Sequence, residues 1–159
     1  MHPLVSLGLL SLIPSALAQV NFTQPDINKP LNLSSEAVTI AWKVELNTQE
    51  ARDYQFVDIW WITTDFGYEL VENFTHSVGT NEYVWNAAEL RDHILRINST
   101  IPAGKSAWFE LRFHDEGERG SRIESEKYVV EGYPLIAAGH RVQVGWGIGL
   151  AIGAGLLLL

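Results

Sequence analysis

Phe56-Val57-Asp58-Ile59-Trp60-Trp61-Ile62 is the stretch on which the fold turns. Val57, Ile59 and Trp61 fall on every second residue, and Phe56, Asp58, Trp60 and Ile62 fill the places between. A period of two marks a half-buried β-strand, because successive side chains point to opposite faces. Upstream, Val38, Ile40, Trp42 and Val44 alternate with Thr39, Ala41 and Lys43. Downstream, Ala107, Phe109, Leu111 and Phe113 alternate with Trp108, Glu110, Arg112 and His114. Tyr68 to Phe74 and Glu82 to Trp85 read as shorter strands, parted by the turn-like residues 76–81. Arg122 to Glu131 reads as one last strand after a turn over 116–121. Short strands divided by Gly, Asn and Pro turns predict an all-β fold, an antiparallel β-sandwich. One stretch departs from this pattern. Asn86 suits a helix N-cap, Glu89 follows three residues later, and Leu90, Ile94 and Leu95 keep helical spacing. They predict one short helix over residues 87–96, crossing from one sheet to the other.

The chain has 159 residues, enough for one domain, and its two apolar ends shorten the folded part. Leu4 to Leu17 is an apolar run interrupted only by small residues and Pro14, and Ala16-Leu17-Ala18 closes it with small residues where a signal peptidase reads them. Residues 1–18 are therefore expected to be a signal peptide, cleaved before Gln19. Val144 to Leu159 carries no charge. As a helix its 16 residues would reach about 24 Å, short of the roughly 30 Å hydrocarbon core, and no cytoplasmic Lys or Arg follows Leu159. A signal for a glycosylphosphatidylinositol (GPI) anchor fits better, with Ala137, Ala138 and Gly139 as candidate attachment residues. The spacer His140 to Gln143 is shorter than the usual ~8–12 residues, so a short membrane helix stays the alternative. The expected layout is a signal peptide at 1–18, a sandwich ectodomain at 19–133, a linker at 134–143 and the apolar tail at 144–159.

All 11 Lys and Arg and all 19 Asp and Glu lie between the two ends, so the ectodomain holds the whole net charge of −8. That balance argues against nucleic acid as a partner, which needs a basic footprint. With no cysteine, the domain depends on its core alone. Four N-glycosylation sequons occur, at Asn21, Asn32, Asn73 and Asn98, none with Pro in the middle position. Chance supplies about one in a chain of this size. The excess points the same way as the signal peptide, to secretion.

Asn21-Phe22-x-x-Pro25, Val38-Thr39-Ile40-Ala41-Trp42, Ile101-Pro102-Ala103-Gly104, Trp108-x-x-Leu111-Arg112 and Ser125-x-x-Tyr128 occur in that order. Together they resemble the fungal KNH-like domain of the yeast cell-wall β-1,6-glucan assembly proteins and of Ser/Thr-rich GPI-anchored relatives, over roughly Val20 to Tyr133. The resemblance implies an immunoglobulin-like sandwich at the fungal cell surface or wall, and it carries over no catalytic residues. Two features depart from it. Leu31 to Glu36 replaces a Gly-rich turn common before the first Trp strand, and no Ser/Thr-rich stalk is present.

Catalytic and metal chemistry find little support in the residues. Asp115 and Glu116 fall in a turn expected to be open to water, where carboxylate pKa values are hard to tune. His76, His93, His114 and His140 are scattered without a ligand spacing, and no Gly-x-Ser-x-Gly elbow occurs. No catalytic residue, metal or cofactor is assigned. The aromatic residues carry more information. Trp42 and Trp61 share the phase of Val and Ile and are expected in the core. Trp60 shares its phase with Asp58, and Trp108 with Glu110 and Arg112, so both are expected to face outward. If residues 56–63 and 106–113 are neighbours, as the third and sixth strands of an immunoglobulin-like sandwich commonly are, then Trp60, Trp108, Arg112 and Asp58 form a candidate glycan-binding face. The expected function is that of a non-catalytic, surface-anchored glycoprotein binding wall polysaccharide. An extracellular protein-interaction or adhesion module is the alternative, and a small wall-remodelling enzyme the lesser one.

Overall fold

The computed structural model describes residues 19–116 and 118–137. The expected signal peptide at 1–18, the candidate attachment residues Ala138 and Gly139, the expected spacer and the apolar tail lie outside them. Eleven strands and two short helices follow one another: β1 (Val20–Gln24), β2 (Leu31–Asn32), β3 (Val38–Val44), α1 (Gln49–Asp53), β4 (Phe56–Thr63), β5 (Gly67–Thr75), β6 (Gly79–Trp85), α2 (Ala87–Arg96), β7 (Ile101–Pro102), β8 (Lys105–Asp115), β9 (Glu118–Glu124), β10 (Tyr128–Glu131) and β11 (Ile136–Ala137). The fold is all-β, as the alternation predicts.

Three sheets form. One has the order β1-β3-β6, and a six-stranded one runs β2-β10-β8-β4-β5 with β9 also on β8. A short parallel pair joins β11 to β7. Alternation is kept along β4, where Val57, Ile59 and Trp61 are buried and their neighbours only half-buried. Trp42 and Trp61 are fully buried, as expected. Side chains of both larger sheets share one core: the rings of Trp61 and Trp85 lie 6.1 Å apart, and those of Trp42 and Phe74 5.6 Å apart. Burying an aromatic or large aliphatic side chain contributes roughly 1.5–3 kcal/mol, so in a chain without cysteine this cluster supplies the stability that disulfides give some small domains.

Helix α2 occupies the predicted span and joins β6 of the smaller sheet to β7 and then β8. Its amphipathic face buries Ala87, Leu90 and Ile94. Asn86 stands at the N-cap but makes no capping hydrogen bond to the backbone; its Nδ2 donates instead to Glu89 Oε1 at 2.9 Å. The C-terminus is closed by a Schellman motif. Asn98 N–H donates to Leu95 O and Ser99 N–H to Ile94 O, both at 3.0 Å, with Asn98 at φ 52°.

Four expectations are corrected. The single strand at 122–131 is two strands, β9 starting at Glu118 and β10 at Tyr128, with a break at Ser125–Lys127. Ser125 causes the break by clamping Phe109 of β8: its N–H donates to Phe109 O at 2.8 Å, and its Oγ accepts from Phe109 N–H at 2.9 Å. Strand β6 starts at Gly79, inside the stretch read as a turn. Helix α1 was not anticipated; Thr48 caps it by accepting from Ala51 N–H at 3.0 Å. Finally, the fold does not stop at Tyr133. Ile101 N–H donates to Leu135 O, and Ala103 N–H to Ala137 O, both at 3.1 Å. Residues 135–137, expected to be linker, are therefore stitched into the domain.

Candidate functional site

Strands β4 and β8 are antiparallel neighbours in continuous register, with Asp58 opposite Arg112, Trp60 opposite Glu110 and Ile62 opposite Trp108. The four candidate residues Asp58, Trp60, Trp108 and Arg112 therefore share the outward face of the six-stranded sheet. Both indoles are half-buried, and each is covered by a cation. The Arg112 guanidinium stands 3.9 Å from the Trp60 ring centroid, and Lys127 Nζ 4.8 Å from that of Trp108. Cations settle there because an aromatic face carries negative quadrupole charge. The Nε1 atoms of Trp60 and Trp108 are buried without a hydrogen-bond partner.

The two covers differ in their partners. Arg112 Nε donates to Glu110 Oε1, and Arg122 Nε lies 3.2 Å from the same oxygen. Glu110 is only 3% exposed, although it lies in the outward phase of β8. Strand β9 explains this: it sets Arg122 directly opposite Arg112, and the carboxylate between the two cations offsets their repulsion. Lys127 is exposed, and among the described residues it forms no ion pair within 4 Å. Trp60 is thus held under a guanidinium that is itself ion-paired, whereas the cover of Trp108 is an exposed lysine.

Asp58 is occupied within the same face. Its Oδ1 accepts from Asn73 N–H at 2.8 Å and lies 3.0 Å from His114 Nε2. Burial by itself lowers the His114 pKa, but hydrogen bonds to the Asp58 carboxylate and the Asp115 carbonyl, with the charges of Asp58 and Glu72, raise it above the ordinary histidine value. Glu69 stands opposite Trp60 on the other side, in β5. Desolvation raises its pKa, the charges of Asp58 and Glu72 add to that, and Arg112 opposes it. Asp115 and Glu116 are both exposed.

All four sequon asparagines are exposed. Asn21 is on β1 opposite Lys43, and Asn32 is on β2. Within the second sequon Ser34 N–H donates to Asn32 Oδ1 at 2.8 Å, and Ser34 Oγ donates to Gly132 O at 3.0 Å. Asn73 in β5 and Asn98 after α2 hold left-handed backbone, at φ 53° and 52°. Of the candidate anchor residues, Ala137 is exposed at the end of β11. Among the described residues no helix is long and apolar enough to cross a membrane, and no group of three or more His, Cys, Asp or Glu is placed to hold a metal ion.

Sequence reading missed Glu110 as a buried carboxylate, together with Arg122 and Lys127. The alternation showed only which face Glu110 takes, not that β9 and the break after it would roof that face. Compared with known proteins, the chain matches no family profile, no curated protein and no solved structure.

Proposed function

We propose that this protein is a secreted, N-glycosylated domain held at the fungal cell surface by its C-terminal tail, where it binds wall polysaccharide without catalysing a reaction. In this reading the two larger sheets close face to face as an immunoglobulin-like sandwich. The adjacency of β3 with β6, of β4 with β8, and of β8 with β9 and β10 supports it, since these correspond to the B–E, C–F and F–G pairings of that architecture. The shared tryptophan-rich core supports it too. The ordered motifs that resemble the KNH-like domain favour the wall as its location. The signal-like residues 1–18, the four sequons and the tail at 144–159 favour secretion and anchoring, by a GPI signal cleaved near Ala137 to Gly139.

The observation that carries the polysaccharide reading is the outward face of the six-stranded sheet. Trp108 offers an aromatic platform whose cationic cover is the exposed Lys127, and on the same face of the sheet Arg112 and Asp58 supply hydrogen-bonding groups. Sugar rings use both features, stacking an apolar face and pairing their hydroxyls. The test is retention of the purified full chain on insoluble β-1,3- and β-1,6-linked glucan. Wild type is expected to be retained and Trp108→Ala to lose most of that retention, with Lys127→Ala retained at least as well as wild type. Equal retention of wild type and Trp108→Ala would remove this face as the platform.

A further inference from the structure

Strands β5 and β6 are the outermost strands of their respective sheets, and α2 lies alongside both. Between the three elements opens a cleft of about 960 Å³, within the range that small-molecule and sugar sites occupy. Tyr83 Oη spans the two strands by donating to Leu70 O at 3.1 Å. Tyr68 and His93 line the cleft and pack against each other, ring centroids 5.2 Å apart. Val84, 55% exposed, gives the cleft an open apolar surface together with Leu70 and Leu95. Its polar lining is mostly acceptors: Glu69, Glu89 and Asp92 are all exposed carboxylates. Asn86 borders the cleft as well, its Nδ2 donating to Glu89 Oε1 at 2.9 Å.

We infer that this cleft is a second seat for the polysaccharide and takes a short stretch of neutral sugar. Tyrosine and imidazole rings beside exposed Val84 offer the apolar contact that one face of a sugar ring needs. Carboxylates accept pairs of hydroxyls well, and the same carboxylates repel an anionic polymer, against which the cleft sets only Arg96 and His93. The inference rests on the polysaccharide reading and extends it. Glu69 borders the cleft and also stands opposite Trp60 in the sheet, at the β5 edge of the face that carries Trp108 on β8, so a single chain running from the cleft over β5 and β4 would reach both seats.

The test is calorimetric titration of the full chain with β-1,3- and β-1,6-linked glucose hexasaccharides, using Glu89→Gln, Val84→Asp and Trp108→Ala. Glu89→Gln keeps an acceptor for Asn86 and removes only the charge, so the fold is preserved while affinity falls about fivefold. Val84→Asp, on an already exposed side chain, is expected to weaken binding tenfold or more by putting a desolvated charge under the sugar. Both losses together support the cleft. Binding that falls with Trp108→Ala but is indifferent to both cleft variants overturns the cleft and leaves the proposed function standing. A wild-type chain that binds neither hexasaccharide nor glucan polymer overturns both. Dextran sulfate binding as tightly as either neutral hexasaccharide would contradict the assigned ligand class.

Discussion

At the scale of single residues, the outward sheet face is governed by charge placed against charge. Glu110 is buried because Arg112 and Arg122 share it, and Arg112 in turn lies on Trp60. None of this could be read from β8 alone, since Arg122 comes from a strand that the hydrophobic pattern joined to β10. By contrast, the placement of Trp42 and Trp61 inside and of Trp60 and Trp108 outside was legible, because it needs only the pleat. Two histidines give this face and the α1 end opposite pH responses. His114 has its pKa raised, so its pairing with Asp58 stabilises the fold fully below the unfolded histidine value of about 6.5, and that stability is lost as pH rises through the folded pKa. His76 is desolvated against Phe113, its Nε2 donating to Tyr54 O at 3.0 Å, and its pKa is lowered. Its contribution is present above about 6.5 and is lost as pH falls through the folded pKa. In urea unfolding, His114→Gln is therefore expected to cost more stability at about pH 5 than at about pH 8, and His76→Gln to show the reverse trend. A cost of His114→Gln that did not change with pH would mean that the pair with Asp58 contributes nothing.

At the scale of elements, α2 was predicted to the residue because caps and a 3.6-residue period are local signals. The break between β9 and β10 was not, because it depends on Ser125 meeting Phe109 across the sheet, and a period of two runs on unaltered through it. Asn98 joins a backbone role to a place in a sequon. As the residue after the helix C-cap it must hold φ 52°, where glycine is strain-free and other residues pay for their Cβ. Asparagine tolerates that conformation and alone keeps the sequon. Asn98→Gly and Asn98→Ala both delete the sequon, so the glycan cancels from their comparison and only the backbone differs. The glycine variant is expected to be more stable than the alanine variant by roughly 1 kcal/mol in thermal or urea unfolding. Both are expected to migrate faster than wild type after secretion, by the mass of one glycan. If the two variants were equally stable, the Schellman cap would not depend on the left-handed residue.

At the scale of the whole molecule, the domain and its tail meet at β11. Sequence composition placed the linker from residue 134 onward, because Pro134, Gly139 and the small residues between them look like punctuation. The pairing of Ile136 with Ile101 and of Ala137 with Pro102 is non-local and could not be seen in that pattern. It changes the geometry of anchoring. A lipid joined at Ala137, Ala138 or Gly139 would hang from a hydrogen-bonded strand with two residues of slack at most, and with no Ser/Thr-rich stalk the domain would stand close to the bilayer. In the proposed reading, the polysaccharide within reach of the sheet face and the cleft would then be that of the inner wall, against the membrane. Treating intact cells with phosphatidylinositol-specific phospholipase C is expected to release the protein, with mass analysis placing its C-terminus between Ala137 and Gly139. Released chains should keep β11 paired with β7, so Ile101 and Ala103 amides should exchange slowly with deuterium in the soluble form. Retention on the cells with Leu159 intact would instead assign the tail to the membrane itself. That outcome would move the domain's expected site towards membranes of the secretory pathway and weaken the case for wall polysaccharide as its ligand.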